Sequence, residues 1–209
     1  MAAPHPDNRA RQRRRGNSIL EMALIVSVSV PVLLGVAGIG VRLGRTLDGL
    51  QVTRDVAHMY ALGTDFSLAG TQAIARALSR DFSLTANGTG VLILSRVLKV
   101  YQADCDAAGV PSCPNRGQPV FTQRLVIGNS ALRASAFGTP PAGYVGADGT
   151  ISSGNYCRQA SLVASGFDAL IALAQGQSAY LVEGYFSMPE ISLQYFGSTG
   201  GGYYVRMLF

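Results

Sequence analysis

"RQRRRGNSILEMALIVSVSVPVLLGVAGIGVRLGR", residues 11–45, sets an arginine cluster against a long apolar run and leaves one acid, Glu21, just inside that run. From Ile19 to Val41 the segment is apolar except for Glu21, Ser27 and Ser29. Those 23 residues span about 34 Å at ~1.5 Å per residue, enough to cross a hydrocarbon core of roughly 30 Å. A secretory signal has a shorter apolar core and a small-residue cleavage site after it. Here the run passes into "VRLGRTLDGL", which reads as more helix. The spacing therefore predicts one membrane span.

Charge gives the span a direction. Residues 1–16 hold Arg9, Arg11, Arg13, Arg14 and Arg15 against Asp7, a net +4 of the chain's +5. They outnumber Arg42 and Arg45 beyond the span, so the positive-inside bias places the N-terminus in the cytoplasm. The rest of the chain then lies on the periplasmic side of an inner membrane, anchored by lipid. A nucleic-acid surface would carry its positive charge on the folded domain. In this chain the charge sits in a short head expected to be unstructured, which excludes nucleic acid as a partner.

Beyond the span, Leu43, Leu47 and Leu50, then Ala57 and Ala61, recur at spacings of three, four and seven. That period predicts an amphipathic continuation of the helix to about Gly63. Pro31 costs one backbone bond, which membrane helices tolerate, and Gly40 with Gly44 makes a small-residue pair at helix-packing spacing. "LAGTQAIARALSRDF" predicts a second short helix with Ile74 and Leu78 on one face. "GVLILSRVLKVYQA", "PVFTQRLVIG", "QSAYLVEGYFSM" and "GGYYVRMLF" are rich in β-branched and aromatic residues and bounded by glycine and proline, so they predict strands. "DCDAAGVPSCPNRGQ" and "AFGTPPAGYVGADGTISSGNYC" read as turns and loops. The plan is α+β: a long N-terminal transmembrane and stalk helix followed by a small, mostly antiparallel sheet. Its divisions are residues 1–16, a basic leader; 17–42, the span; 43–82, the stalk and short helix; and 83–209, a β-rich periplasmic domain.

Candidate chemistry in the outer domain is sparse. Cys105, Cys113 and Cys157 all lie beyond the span, where an oxidising compartment allows one disulfide with one cysteine left over. Cys105–Cys113 is the expected pair, since the Asp, Gly and Pro-bearing turn between them brings them together; Cys157 remains the alternative partner of either. Three thiols without a histidine beyond His58 do not complete a common zinc set, so no metal or cofactor is expected. The only histidines are His5 and His58, which leaves a nucleophile in the outer domain without a base. Asp104, Asp106, Asp148, Asp168, Glu183 and Glu190 have no pairing spacing and are expected to be solvated loop acids. "NGTG" at Asn87 and "ADGT" at Asp148 read as turns. No enzyme is expected.

The order basic run, Gly16, Asn17-Ser18-Ile19-Leu20-Glu21, apolar helix resembles the class III signal of type IV pilins and pseudopilins. That resemblance implies cleavage between Gly16 and Asn17 by a prepilin peptidase, making Glu21 the fifth residue of the mature chain. A new N-terminal ammonium and a membrane-level carboxylate then neutralise each other within or between subunits, because an unpaired charge in hydrocarbon is costly.

"GNSILEMALIV…PVLLGVAGIGVRLGRTLDGLQVTRDVAHMYA" resembles, more narrowly, the TadE/TadF-like pseudopilins of tight-adherence (Tad, or Flp) pilus systems. The match covers about residues 11–62, with Gly44-Arg45, Leu47, Leu50-Gln51, Ala57 and Ala61 on the family's amphipathic extension. Further on, Val182-Glu183-Gly184-Tyr185 sits where that family has a similar stretch. Met22 after the acid and the long chain favour a minor pseudopilin over a main pilus subunit. The resemblance implies other Tad pilins, pseudopilins and an inner-membrane platform as partners, with a role in priming, capping or stabilising an adhesive fibre. A pseudopilin-like part of a type II secretion machine and an uncleaved, single-pass anchored binding domain are the alternatives.

Overall fold

A computed structural model describes residues 8–188 and 201–209, with side chains from residue 18 onward. His5, Asp7 and Glu190 lie outside the described residues, and Gly16 and Asn17 are described by backbone alone. The chain divides into two compact units, Met1–Gly44 and Arg45–Phe209.

Helix α1 runs Asn8–Ala61 and so supplies the first unit and the opening of the second. It begins inside the head expected to be unstructured, where the sequence from Asn8 to the span holds helix-favouring arginines and no proline. It continues unbroken through Pro31, which cannot donate the amide bond that would close on the Ser27 carbonyl.

The second unit is an α+β layer structure. After α1 come α2 (Ala69–Leu78), β1 (Gly90–Lys99), α3 (Gln102–Ala107), β2 (Pro119–Gly128), α4 (Ser153–Arg158), β3 (Ser178–Met188) and β4 (Gly201–Leu208). The four strands form one antiparallel sheet in the order β2-β1-β3-β4. All four apolar, β-branched stretches fold as strands. The connector expected to be all turn contains α3, whose first turn is capped where the Tyr101 amide donates to Asp104 Oδ2 at 2.8 Å. An acid at that position also complements the positive end of a helix.

One face of the sheet meets the helices. Leu92 and Leu94 of β1, Leu125 and Ile127 of β2, and Val182 and Phe186 of β3 form a core with Val52, Val56, Ala57 and Tyr60 of α1 and Ala75 of α2. Each fully buried side chain of this kind stabilises the fold by roughly 1.5–3 kcal/mol. The α1 stripe differs from the expected one. Gly49, Val52, Thr53, Val56, Ala57 and Tyr60 are buried, whereas Leu43 and Leu47 are exposed. On α2 the buried residue is Ala75, and Ile74 is 51% exposed. Helix α1 and the sheet approach closely where glycines stand, at Gly49 and Gly184.

Gly49 shows how closely. A methyl added there would overlap the Tyr203 hydroxyl and come within 3.0 Å of Phe186. That hydroxyl donates to the Arg45 carbonyl at 3.0 Å. Gly184 is the matching gap in β3, where a methyl would reach Thr53 Oγ1 and a Phe186 ring carbon. Gly49→Ala is expected to lower stability by about 1–3 kcal/mol through overpacking, read as a lower midpoint in urea unfolding of the detergent-solubilised chain. An unchanged midpoint would show that Tyr203 swings aside at no cost.

The opposite face is covered by the segment between β2 and β3. Phe137, Ile151, Leu162, Ala164 and Phe167 pack on Val97, Phe121, Ala179 and Leu181. The same segment pairs along the outer edge of β2: the Arg124 amide donates to the Gly149 carbonyl at 2.8 Å and the Ile151 amide to the Thr122 carbonyl at 2.9 Å. A third, smaller cluster joins Val100, Cys105, Val110, Val120 and Cys157 at the end of the sheet.

Candidate functional site

The apolar part of α1 is the first candidate. Its most apolar window has a mean hydropathy of 2.4 and is 0% buried. Ile19, Leu20, Met22, Leu24, Leu33 and Ile39 are each about two-thirds exposed or more, which water does not tolerate as a contiguous surface. The helix is long and apolar enough to cross a membrane. Ser27 satisfies its own hydroxyl by donating to the Leu24 carbonyl at 2.8 Å, a device that removes a polar group from apolar surroundings. Gly35, Gly38, Gly40 and Gly44 offer bare backbone, with open space where a methyl would stand. Glu21 lies exposed among these side chains, near the start of the apolar run. Gly16 and Asn17 precede it on the same helix.

Among the described residues, the Glu21 carboxylate makes no hydrogen bond or ion pair. In water, exposure would suffice to stabilise it; against lipid, a cation has to. The five arginines of the head lie 6 to 12 residues before it in sequence (21 − 15 and 21 − 9); were the chain cut between Gly16 and Asn17, the new terminal ammonium would lie four residues before it.

The second candidate is a buried acid in the sheet. Glu183, expected to be a solvated loop acid, is in the middle of β3 and only 1% exposed. It accepts hydrogen bonds from the Ser135 hydroxyl, the Ala136 amide at 2.9 Å and the Tyr204 hydroxyl at 2.6 Å. Its counter-charge is Arg124, 3.9 Å away and also buried. A β-bulge makes the arrangement possible. Register shifts between Arg96 and Val97, so that Ser95 faces Arg124 and Val97 faces Phe121. The extra residue in β2 brings positions 121 and 124 to one face, and the guanidinium lies 4.4 Å from the centre of the Phe121 ring.

Arg124 donates through Nη2 to the Gly138 carbonyl, while its Nε and Nη1 make no hydrogen bond among the described residues. Burial pulls its guanidinium down to about 10, outweighing the opposite pull of Glu183 and Tyr60. Burial also pushes the Tyr204 phenol above its ordinary range, helped by the hydrogen bond and charge of Glu183 and opposed by Arg206 and Arg133. Tyr204 therefore stays a proton donor. Arg133 covers the Tyr204 and Tyr185 rings at 4.5 and 5.6 Å. Glu183 thus holds the covering segment to the sheet through these contacts.

Compared with protein-family models, curated proteins and solved structures, the chain matches none.

The remaining chemistry is sulfur. Cys105 and Cys113 are disulfide-bonded and Cys157 is a buried free thiol. The three Sγ atoms lie within 4.8 Å of one another. With Cys105 and Cys113 bonded together, one free thiol remains among the three. The other acids singled out from the sequence are dispersed. Asp168 pairs with Lys99 at 2.7 Å, Asp148 accepts from the Thr150 amide and hydroxyl in a turn, and Asp106 accepts from Gln102 at 2.8 Å. Asn87 falls in the turn that Gly88 closes on the Thr85 carbonyl.

One signal in the sequence could have exposed Glu183. An acid alternating with Leu181 and Tyr185, inside a stretch already read as a strand, shares a face with apolar neighbours. Its partners come from residues 48 and 59 positions earlier and 21 later, which no local pattern shows.

Proposed function

We propose that the chain is a minor pseudopilin of the TadE/TadF-like kind. It is held in the inner membrane by the apolar part of α1, with its α+β unit in the periplasm, and takes part in priming or stabilising a Tad-type pilus. The observation that carries this reading is the unburied apolar helix with an acid near its start and a basic cluster before it. The folded unit, Arg45–Phe209, closes both faces of its own sheet. The apolar helix is therefore left for lipid and for the helices of other subunits. Side-by-side packing would bring each Glu21 to the level of a neighbour's terminus, so the charge pair acts as a register mark. The prepilin peptidase is the enzyme this reading requires; the platform proteins and the other pilins are its partners.

Processing tests the reading directly. Mass spectrometry of the membrane-extracted protein is expected to find a mature chain beginning at Asn17. A mature, assembled protein that still starts at Met1 or Ala2 would sink the processed-pilin reading and leave an anchored periplasmic domain.

A further inference from the structure

The three cysteines are more than a disulfide and a bystander. Cys105 stands on α3, Cys157 on α4, and Cys113 in the connector between α3 and β2. Cys105 and Cys157 are both 0% exposed within the same small core, while Cys113 is half-buried at its edge. All three sulfurs lie within 4.8 Å of each other, and Cys113 Sγ is 3.5 Å from the carbonyl oxygen of Cys157 itself. The backbone around them is pinned. Asn115, 2% exposed, donates through Nδ2 to the carbonyls of both Tyr156 and Gln159 at 2.8 Å, clamping the connector onto α4. Arg158 reaches the Gly109 carbonyl from the α4 side at 3.4 Å. A third sulfur can thus approach the bond without unfolding either helix.

We propose that Cys105, Cys113 and Cys157 form one exchangeable disulfide site, in which Cys157 can take Cys105 from Cys113. The Cys157 thiolate attacks Cys105 Sγ. A Cys157–Cys105 bond forms as the Cys105–Cys113 bond breaks, and Cys113 leaves as a thiolate that takes up the proton Cys157 gave to solvent. One disulfide and one thiol are present before and after, so no external oxidant or reductant enters the balance. Cys113 is the better leaving sulfur because it is the one that water reaches, and a thiolate in an apolar core is costly.

Exchange is latched. Burial pushes the Cys157 thiol above its ordinary range, with Asp104 adding to the effect and Arg158 opposing it, so the attacking form is scarce until a base or a small thiol reaches the site. The neighbouring Tyr156 phenol is itself raised, chiefly by burial, and adds no charge at neutral pH.

The two bonds do different things to the fold. Cys105–Cys113 closes a separation of 8 residues inside one connector. Cys105–Cys157 would tie α3 to α4 across 52 residues (157 − 105), fastening the segment that covers the Glu183 face. Closing a longer loop restricts the unfolded chain more. The site would therefore convert a local staple into a long-range one after the domain has folded.

The full-length chain in detergent, held in mildly alkaline buffer with a trace of glutathione, then acid-quenched, alkylated and mapped without reduction, decides the matter. The expected result is transfer of alkyl label from Cys157 to Cys113 in a reproducible fraction of chains, with a matching Cys105–Cys157 peptide. Label confined to Cys157 would overturn the proposal. Cys113→Ser gives a second reading: oxidised glutathione is expected to convert it to a Cys105–Cys157 bonded chain. Two persistent free thiols in a folded Cys113→Ser protein would also overturn it. The wild-type map stands whether or not that variant folds.

Discussion

On the proposed pseudopilin reading, Glu21→Ala is expected to abolish fibre assembly while leaving the protein in the membrane. Were Glu21 only a decoration of the first turns, its loss would remove an electrostatic contribution of about 0.3–1 kcal/mol, too small to stop assembly. Paired with a freed N-terminal ammonium in a low-dielectric setting, its removal strands a charge, and breaking a buried pair in that way costs about 3–5 kcal/mol. Every subunit interface would carry that cost. Insertion should be unharmed, since the span becomes more apolar and the arginines that orient it are untouched. Glu21→Gln is expected to fail as well, because it preserves shape and hydrogen bonding without charge. Pilus counts and membrane fractionation at normal expression check both variants. Normal piliation with Glu21→Ala would end the assembly role and return the helix to a plain anchor.

The second large effect belongs to the folded unit. Glu183→Ala removes the acceptor used by the Ser135 hydroxyl, the Ala136 amide and the Tyr204 hydroxyl. It also leaves Arg124, whose side chain is 6% exposed, without its counter-charge. An uncompensated buried charge predicts a loss of about 3–5 kcal/mol, a large share of the ~5–15 kcal/mol that holds a domain together. Glu183→Gln keeps an acceptor in place and should lose less. The companion variant Glu183→Leu with Arg124→Met removes both charges and is expected to recover the part of the loss that comes from the stranded guanidinium, while the Ser135, Ala136 and Tyr204 donors stay without their acceptor. Urea unfolding of the solubilised chain, followed by tyrosine fluorescence in a protein without tryptophan, measures all three. If Glu183→Ala shifted stability by less than about 1 kcal/mol, water would have to be solvating Arg124 in its place.

Neither site depends on the other, and they were unequally visible. Glu21 stands out in the sequence because a single acid in a 23-residue apolar run breaks a pattern that needs no partner to be read. Glu183 does not stand out, because an acid within a strand is ordinary until its face is known. Deciding the face took the register of four strands, and deciding the partner took the bulge in β2 that turns Arg124 toward the face that Phe121 occupies.

The same division runs through the whole chain. Local physics was enough for the long helix, α2 and the four strands, but not for α3 and α4, which lie in stretches read as turn and loop. The apolar run had to be a long helix, and the four β-branched, glycine- and proline-bounded stretches had to be strands, because those preferences are carried by adjacent residues. The pairing of Cys105 with Cys113 also lay within a short turn. Tertiary contact decided the rest. On α1 the leucines at 43 and 47 face outward, and the buried stripe is Gly49, Val52, Thr53, Val56, Ala57 and Tyr60, since the sheet approaches too closely for larger side chains at Gly49 and Gly184. On α2 it is Ala75 and not Ile74 that is buried. Cys157 reaches the disulfide because Asn115 clamps α4 onto the connector from 41 and 44 residues away. Periodicity tells which residues could be buried; only the neighbour that arrives from elsewhere in the chain determines which of them are.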